Sequence, residues 1–164
     1  MQESLNQIRS RRDGALKALV SNIPYAEWMG ISFDRRGDEL TAVLAYDERL
    51  IGNPRLPALH GGALAAFLEV AAVVELSWTH IWNDVEEGRI VPDSDNPASL
   101  PHLPKTIDIT VDYLRPGLAR DAYARARVVR SGRRYASVQV EAWQDNRARL
   151  FAQATAHFLM PSRI

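Results

Sequence analysis

No cysteine occurs anywhere in the 164 residues. The chain therefore has no disulfide framework, no thiol nucleophile and no thiolate ligand for a metal. An excess of either charge is missing too: 20 basic and 20 acidic residues leave a formal net charge of zero. No global field draws such a chain onto nucleic acid or an anionic membrane, and neither is expected as a partner. The opening segment MQESLNQIRSRRDG lacks the apolar stretch of a signal peptide. The one long apolar run is broken by Glu69 and Glu75 and opens on two glycines, which does not read as a membrane span. A serine set in a glycine elbow, a phosphate-cradling glycine loop and a dinucleotide fingerprint are all absent. The expectation is one soluble cytoplasmic domain, long enough to enclose a core.

What is present concentrates in LHGGALAAFLEVAAVVEL, Leu59 to Leu76. A His-Gly-Gly turn leads into a helix apolar on nearly every face, and such a helix is buried. Glu69 stands among its aliphatics. A buried ionised carboxylate without partners costs several kcal/mol, so it marks either a site of chemistry or an oligomer seam where it pairs with an Arg or a backbone N–H.

Around this helix the pattern is mainly β. Residues 2–20 carry Leu5, Ile8, Leu16, Leu19 and Val20 on helical spacing, interrupted at Asp13-Gly14. From Gly30 to Tyr46 the pattern predicts two short strands turning at Arg36-Gly37-Asp38. The stretch IGNPRLPAL, 51–59, reads as a loop, and the buried helix runs from about Gly62 to about Trp82. Residues 83–105, with four prolines, read as a long inserted loop, either a lid or a solvated excursion. Four β segments follow at 106–114, 121–130, 135–143 and 149–159. In the first, Ile107, Ile109, Val111 and Tyr113 alternate with polar residues. Ser131-Gly132 signals a tight turn between the second and third. Inward alanines on the later strands leave room for something thick, and the buried helix fits there. The fold class is α+β, an antiparallel sheet curled around one central helix. We divide the chain into a helical extension, 1–22, and a single domain, 23–164. One sheet of this size cannot surround an all-apolar helix, so a second subunit should cover part of the helix or the sheet edge.

The HGG turn at His60-Gly61-Gly62, the buried helix, and a strand ending Tyr113-Leu114-Arg115-Pro116 together resemble the hotdog-fold acyl-CoA thioesterases of the PaaI type. The likeness covers about residues 23–160. It implies a hydrolase that converts an acyl-CoA to free acid and CoA, with no cofactor beyond the CoA of its substrate. In that family an acidic residue nine positions after the His is nucleophile or general base, which falls on Glu69. The N–H after the His grips the thioester, which falls on Gly61. Thr106 aligns with a Ser or Thr that holds the attacking water or the carboxylate. Asn53 resembles an Asn upstream of HGG, although it stands seven residues before His60, about one further than in well-known members. Gly132-Arg133-Arg134 resembles a Gly-Lys/Arg turn that approaches the CoA phosphates, and Arg suits phosphate through its two-pronged donation.

The chemistry of the residues is consistent with those roles. At a helix start the backbone N–H groups are unpaired and the dipole adds positive charge. Gly61 and Gly62 let a carbonyl oxygen approach them. One such donor is worth about 3–4 kcal/mol in a transition state. Glu69 can attack the thioester to give an anhydride, or take a proton from an attacking water. His60 is expected to lock the turn by hydrogen bonding. Gly61 and Glu69, eight residues apart, are separated by roughly 12 Å along a helix, and a Glu side chain recovers about 5 Å at most. The two cannot touch one carbonyl from the same chain, so the site must combine Gly61 of one subunit with Glu69 of another. A homodimer with shared sites is expected, either alone or paired again into a tetramer.

Other candidates are weaker. His80 and Asp84, four apart, are too few ligands for a metal site, and no metal is expected. His102 and His157 read as structural or solvated, and Arg9, Arg11 and Arg12 as one solvated helix face. Arg115 is expected to hold the strand end through Asp112 or Glu48. The main rival is a non-catalytic acyl-CoA-binding or regulatory protein on the same fold. A hotdog hydratase ranks last for want of that branch's Asp/His dyad at its spacing.

Overall fold

The computed structural model describes residues 4–162; residues 1–3 of the predicted extension and 163–164 of the predicted domain lie outside it. Ser4 opens the first helix with a reciprocal cap, accepting from the Gln7 N–H at 3.3 Å while the Gln7 side chain accepts from the Ser4 N–H at 2.9 Å. Helix α1, Leu5–Ser21, then runs without a break, so the interruption expected at Asp13-Gly14 does not occur. A mid-helix glycine costs only about 1 kcal/mol, and burial of Ala15, Leu16, Ala18 and Leu19 in the common core outweighs it. Of the three arginines expected on one solvated face of α1, Arg9 is exposed as expected, and two depart. Arg11 and Arg12 both reach Glu86, at 3.5 and 3.3 Å, and the Arg12 guanidinium lies 3.9 Å above the Trp82 ring. Both turn toward the protein rather than forming a solvated face.

After the short helix α2, Pro24–Trp28, strands β1, Ile31–Arg36, and β2, Glu39–Leu44, form the predicted hairpin. Gly37 takes φ +63° at its turn, a conformation that favours glycine. Residues 51–59 are not a plain loop. Ile51–Asn53 (β3) and Ala58–Leu59 (β4) pair as a small antiparallel sheet, with both prolines kept in the intervening turn, where no N–H is needed. Helix α3 spans Gly61–Glu86, four residues beyond the predicted end, and takes 83–86 from the expected insertion. The remainder of that insertion is anchored by Leu100 and Leu103 on the core.

Strands β5 (Lys105–Tyr113), β6 (Ala122–Ser131), β7 (Tyr135–Trp143) and β8 (Ala152–Leu159) complete a six-stranded antiparallel sheet, ordered β1-β2-β6-β7-β8-β5. Its inner face is lined by Ala122, Ala124, Ala136, Ala142, Ala152, Ala154 and Ala156, all buried. These small side chains let the sheet close on α3, whose Phe67, Leu68, Val74 and Leu76 are fully enclosed. Each contributes about 1.5–3 kcal/mol. By length and composition α3 can cross a membrane; here it is the core helix.

The edge strand β5 differs most from its sequence pattern. Thr106 pairs with Phe158 and Asp108 with His157, so Ile107 is the extra residue of a bulge. Ile107 is 54 % exposed, whereas strict alternation groups it with the inward Ile109 and Val111. The bulge turns Thr106, one residue earlier, toward the helix.

Candidate active site

His60 is the N-cap of α3, and its Nδ1 accepts the Gly62 N–H at 2.9 Å. Its own N–H donates to Leu50 O at 2.7 Å. Gly52 of β3 packs against it so closely that an added Cβ would sit 2.7 Å from the His60 Cα. On the other side the Tyr113 hydroxyl donates to Gly61 O at 2.7 Å, and its ring lies 3.4 Å from where a Gly61 Cβ would stand. Four contacts therefore fix the turn. They consume the Gly62 amide, while the Gly61 amide, first in the helix, donates to no acceptor among the described residues. A polarised N–H at a helix start is suited to an oxyanion.

Two turns along α3, Glu69 is partly buried between the enclosed Leu68 and Val70. Its Oε1 accepts the Thr106 hydroxyl at 2.5 Å, the contact made possible by the bulge at Ile107. No ion pair to Glu69 forms among the described residues.

The structure brings Glu69 and Thr106 together, and His60, Gly61 and Gly62 together, but separates the two groups. Asn53 lies with the second group, on the strand carrying Gly52. Its side-chain oxygen accepts the Arg55 N–H at 3.1 Å, closing the β3–β4 turn. Gly132, Arg133 and Arg134 form the exposed tip of the β6–β7 hairpin. The Gly132 N–H donates to Tyr135 O at 2.8 Å, and neither arginine makes an ion pair among the described residues. Arg115 does not pair with Asp112, whose carboxylate accepts from Gln153 at 3.0 Å, nor with Glu48. His80 and Asp84 are engaged separately, His80 by Leu76 O and the Ser131 hydroxyl, Asp84 by Arg89. His157 meets Asp108 at 2.6 Å. This pair lies on the outer face of the sheet, because the adjacent Phe158 points inward.

Sequence reasoning missed Gly52, Tyr113 as a clamp, and Glu75. Gly52 was masked by its proline-rich surroundings, and Tyr113 read only as an alternating strand residue and the start of the Tyr-Leu-Arg-Pro strand end. Glu75 is a second carboxylate on α3, flanked by the fully buried Val74 and Leu76, and burial pushes its carboxyl up to about 7.

An antiparallel sheet wrapped around one long central helix is the hotdog fold of the thioesterase superfamily. Residues 53–159 match the family described as the acyl-CoA thioesterase N-terminal domain. Over 143 residues the chain is 28 % identical to the medium/long-chain acyl-CoA thioesterase YigI of Escherichia coli K12, covering 86 % of this chain and 88 % of that one. A crystal structure of a Chromobacterium violaceum protein is 32 % identical, with a TM-score of 0.61, covering 96 % of this chain and 98 % of that one. The E. coli PaaI protein of the phenylacetic acid degradation operon shares the fold, with a TM-score of 0.68 at 16 % identity over 93 % of this chain and 95 % of its own. The chain belongs to the acyl-CoA thioesterase family and is a thioester hydrolase.

Proposed function

We propose that the enzyme hydrolyses acyl-CoA in sites shared between two copies of the chain, Gly61 of one copy holding the thioester oxygen and Glu69 of the other driving the attack. The observation that carries this reading is the placement of the two half-sites along β5. Glu69 is bound to Thr106 at the start of the strand and Gly61 to Tyr113 at its end. Seven residues of strand separate these ends by roughly 20 Å, and eight residues of α3 separate the two groups by about 12 Å. No single carbonyl spans either distance.

β5 is an unpaired sheet edge, and Ile107, Tyr113 and Leu114 on or beside it are about half exposed. A nine-residue open edge of this kind offers unpaired backbone groups for pairing with another chain. A two-fold axis near Ile109 and Thr110 sets the Thr106 end of one strand against the Tyr113 end of the other, since antiparallel self-pairing reverses the order. Each Glu69 then faces the other copy's free Gly61 amide.

In the reaction the Gly61 N–H binds the carbonyl oxygen as it gains negative charge. Two routes use Glu69. In one it takes a proton from water, whose oxygen adds to the carbonyl carbon; the C–S bond breaks and the CoA thiolate recovers the proton. In the other its carboxylate adds directly, releases CoA, and water cleaves the resulting anhydride. Thr106 orients the carboxylate in both, Asn53 supports the acyl group beside the turn, and Arg133 and Arg134 engage the CoA phosphates. We extend the relatives' medium- or long-chain preference to this substrate.

Glu69→Gln keeps shape and the acceptor for Thr106 but removes the charge. It should lower kcat at least a hundredfold while leaving CoA binding and the melting temperature within error. Unchanged kcat rules out the assigned role. The rival, a non-catalytic binder, predicts no release of free thiol from any acyl-CoA by the wild-type protein.

A further inference from the structure

A second bulge mirrors the one at Ile107. In β6, Val128 pairs with Val138 and Arg130 with Ser137, so Val129, 49 % exposed, is the extra residue. Its effect is the same: Ser131, which would otherwise face outward, turns toward the helix and pairs with the buried Ala136. There its hydroxyl meets His80 Nε2 at 3.0 Å, while His80 Nδ1 bonds to Leu76 O at 2.8 Å. Since the carbonyl can only accept, Nδ1 donates to Leu76 O, which leaves Nε2 as the atom that bonds the Ser131 hydroxyl.

Thr106, Phe158, Ala136 and Ser131 form one row across β5, β8, β7 and β6. The row is about 14 Å wide at the usual strand spacing, and the 11 residues from Glu69 to His80 cover about 16 Å of helix. This stretch of α3 is therefore fastened to a single row at both ends, by Glu69 to Thr106 and by His80 to Ser131. Bulges cluster where a side chain must be re-aimed for function. The first serves the proposed catalytic carboxylate. The second acts immediately before Gly132-Arg133-Arg134, whose far side is tied down by the Met160 N–H donating to Arg134 O at 3.0 Å.

We propose that His80 and Ser131 form a latch that sets the position of the hairpin tip for the phosphates of CoA; both are positioning residues and neither touches the substrate. The inference rests on the reading of Arg133 and Arg134 as the phosphate site. It assigns His80, on the last two turns of α3, a task in substrate binding.

The test compares an acyl-CoA with the same acyl group on pantetheine, which lacks the nucleotide phosphates. Ser131→Ala and His80→Ala should each raise KM for acyl-CoA about fivefold, the scale of one lost hydrogen bond, with kcat within twofold and acyl-pantetheine kinetics unaltered. Ser131→Thr retains the hydroxyl and should restore KM. Arg133→Ala/Arg134→Ala should raise the same KM at least as much. If the arginine variant raises KM for acyl-CoA but the Ser131 and His80 variants do not, the latch is refuted and the phosphate reading stands. If the arginine variant leaves that KM unchanged, both fall. Equal changes for the two substrates refute the latch, because they would reflect general damage rather than loss of phosphate contact.

Discussion

Glu75→Gln should stabilise the protein at alkaline pH and leave it nearly unchanged in mild acid. The Glu75 carboxyl is raised by burial from 4.5 to about 7, so the folded chain holds this proton more tightly than the unfolded one. The benefit is complete below the unfolded value, and stability falls as the pH rises from about 4.5 through about 7. At 1.36 kcal/mol per unit the span corresponds to about 3 kcal/mol, and partial exposure of the side chain reduces it to about 2 kcal/mol. Glutamine reproduces the shape and neutrality of the protonated acid and cannot ionise. Urea unfolding at about pH 4.5 and pH 8 reads the difference between the two proteins. We expect near-identical free energies at the lower pH and an advantage of about 2 kcal/mol for the variant at the higher. An equal difference at both pH values, or a less stable variant at pH 8, would show that Glu75 is not held in a desolvated setting.

Two further predictions concern the turn before α3. Gly52→Ala brings a Cβ against the His60 backbone; it should cost about 1–3 kcal/mol of stability, as overpacking does, and lower kcat by moving Gly61, which denaturation and steady-state kinetics will show together. Tyr113→Phe keeps the ring on Gly61 but loses the bond to its carbonyl. It should lower stability by about 1 kcal/mol and reduce kcat more than it changes KM, whereas unaltered kinetics would make the clamp purely structural.

The fold was legible because its signals are periodic. The run from Leu64 to Leu76, apolar but for Glu69 and Glu75, and the inward alanines of β7 and β8 define helix and sheet before any contact is known. The continuity of α1 through Gly14 was not legible, since the packing that overrides a glycine is tertiary. Nor were the bulges: nothing in TIDITVDYL distinguishes Ile107 from Ile109, yet Ile107 is the residue expelled, and that turns Thr106 to Glu69. Spacing alone separated Gly61 from Glu69, because rise per residue is fixed along a helix. The contacts of Gly52 and Tyr113 with the turn depend on chain crossings that no local pattern encodes.

The claim at the centre of the account is that one site takes its amide and its carboxylate from different copies. Gly61→Pro deletes the amide donor alone, because proline suits the first helical position and His60 is already extended before it. Glu69→Gln deletes the carboxylate function alone. Each variant by itself should be nearly inactive. Refolded together in equal amounts, half of the dimers are mixed and each mixed dimer carries one intact site, so about a quarter of wild-type activity should return. Recovery to that level is the predicted result; a mixture no more active than its two components would contradict a shared site.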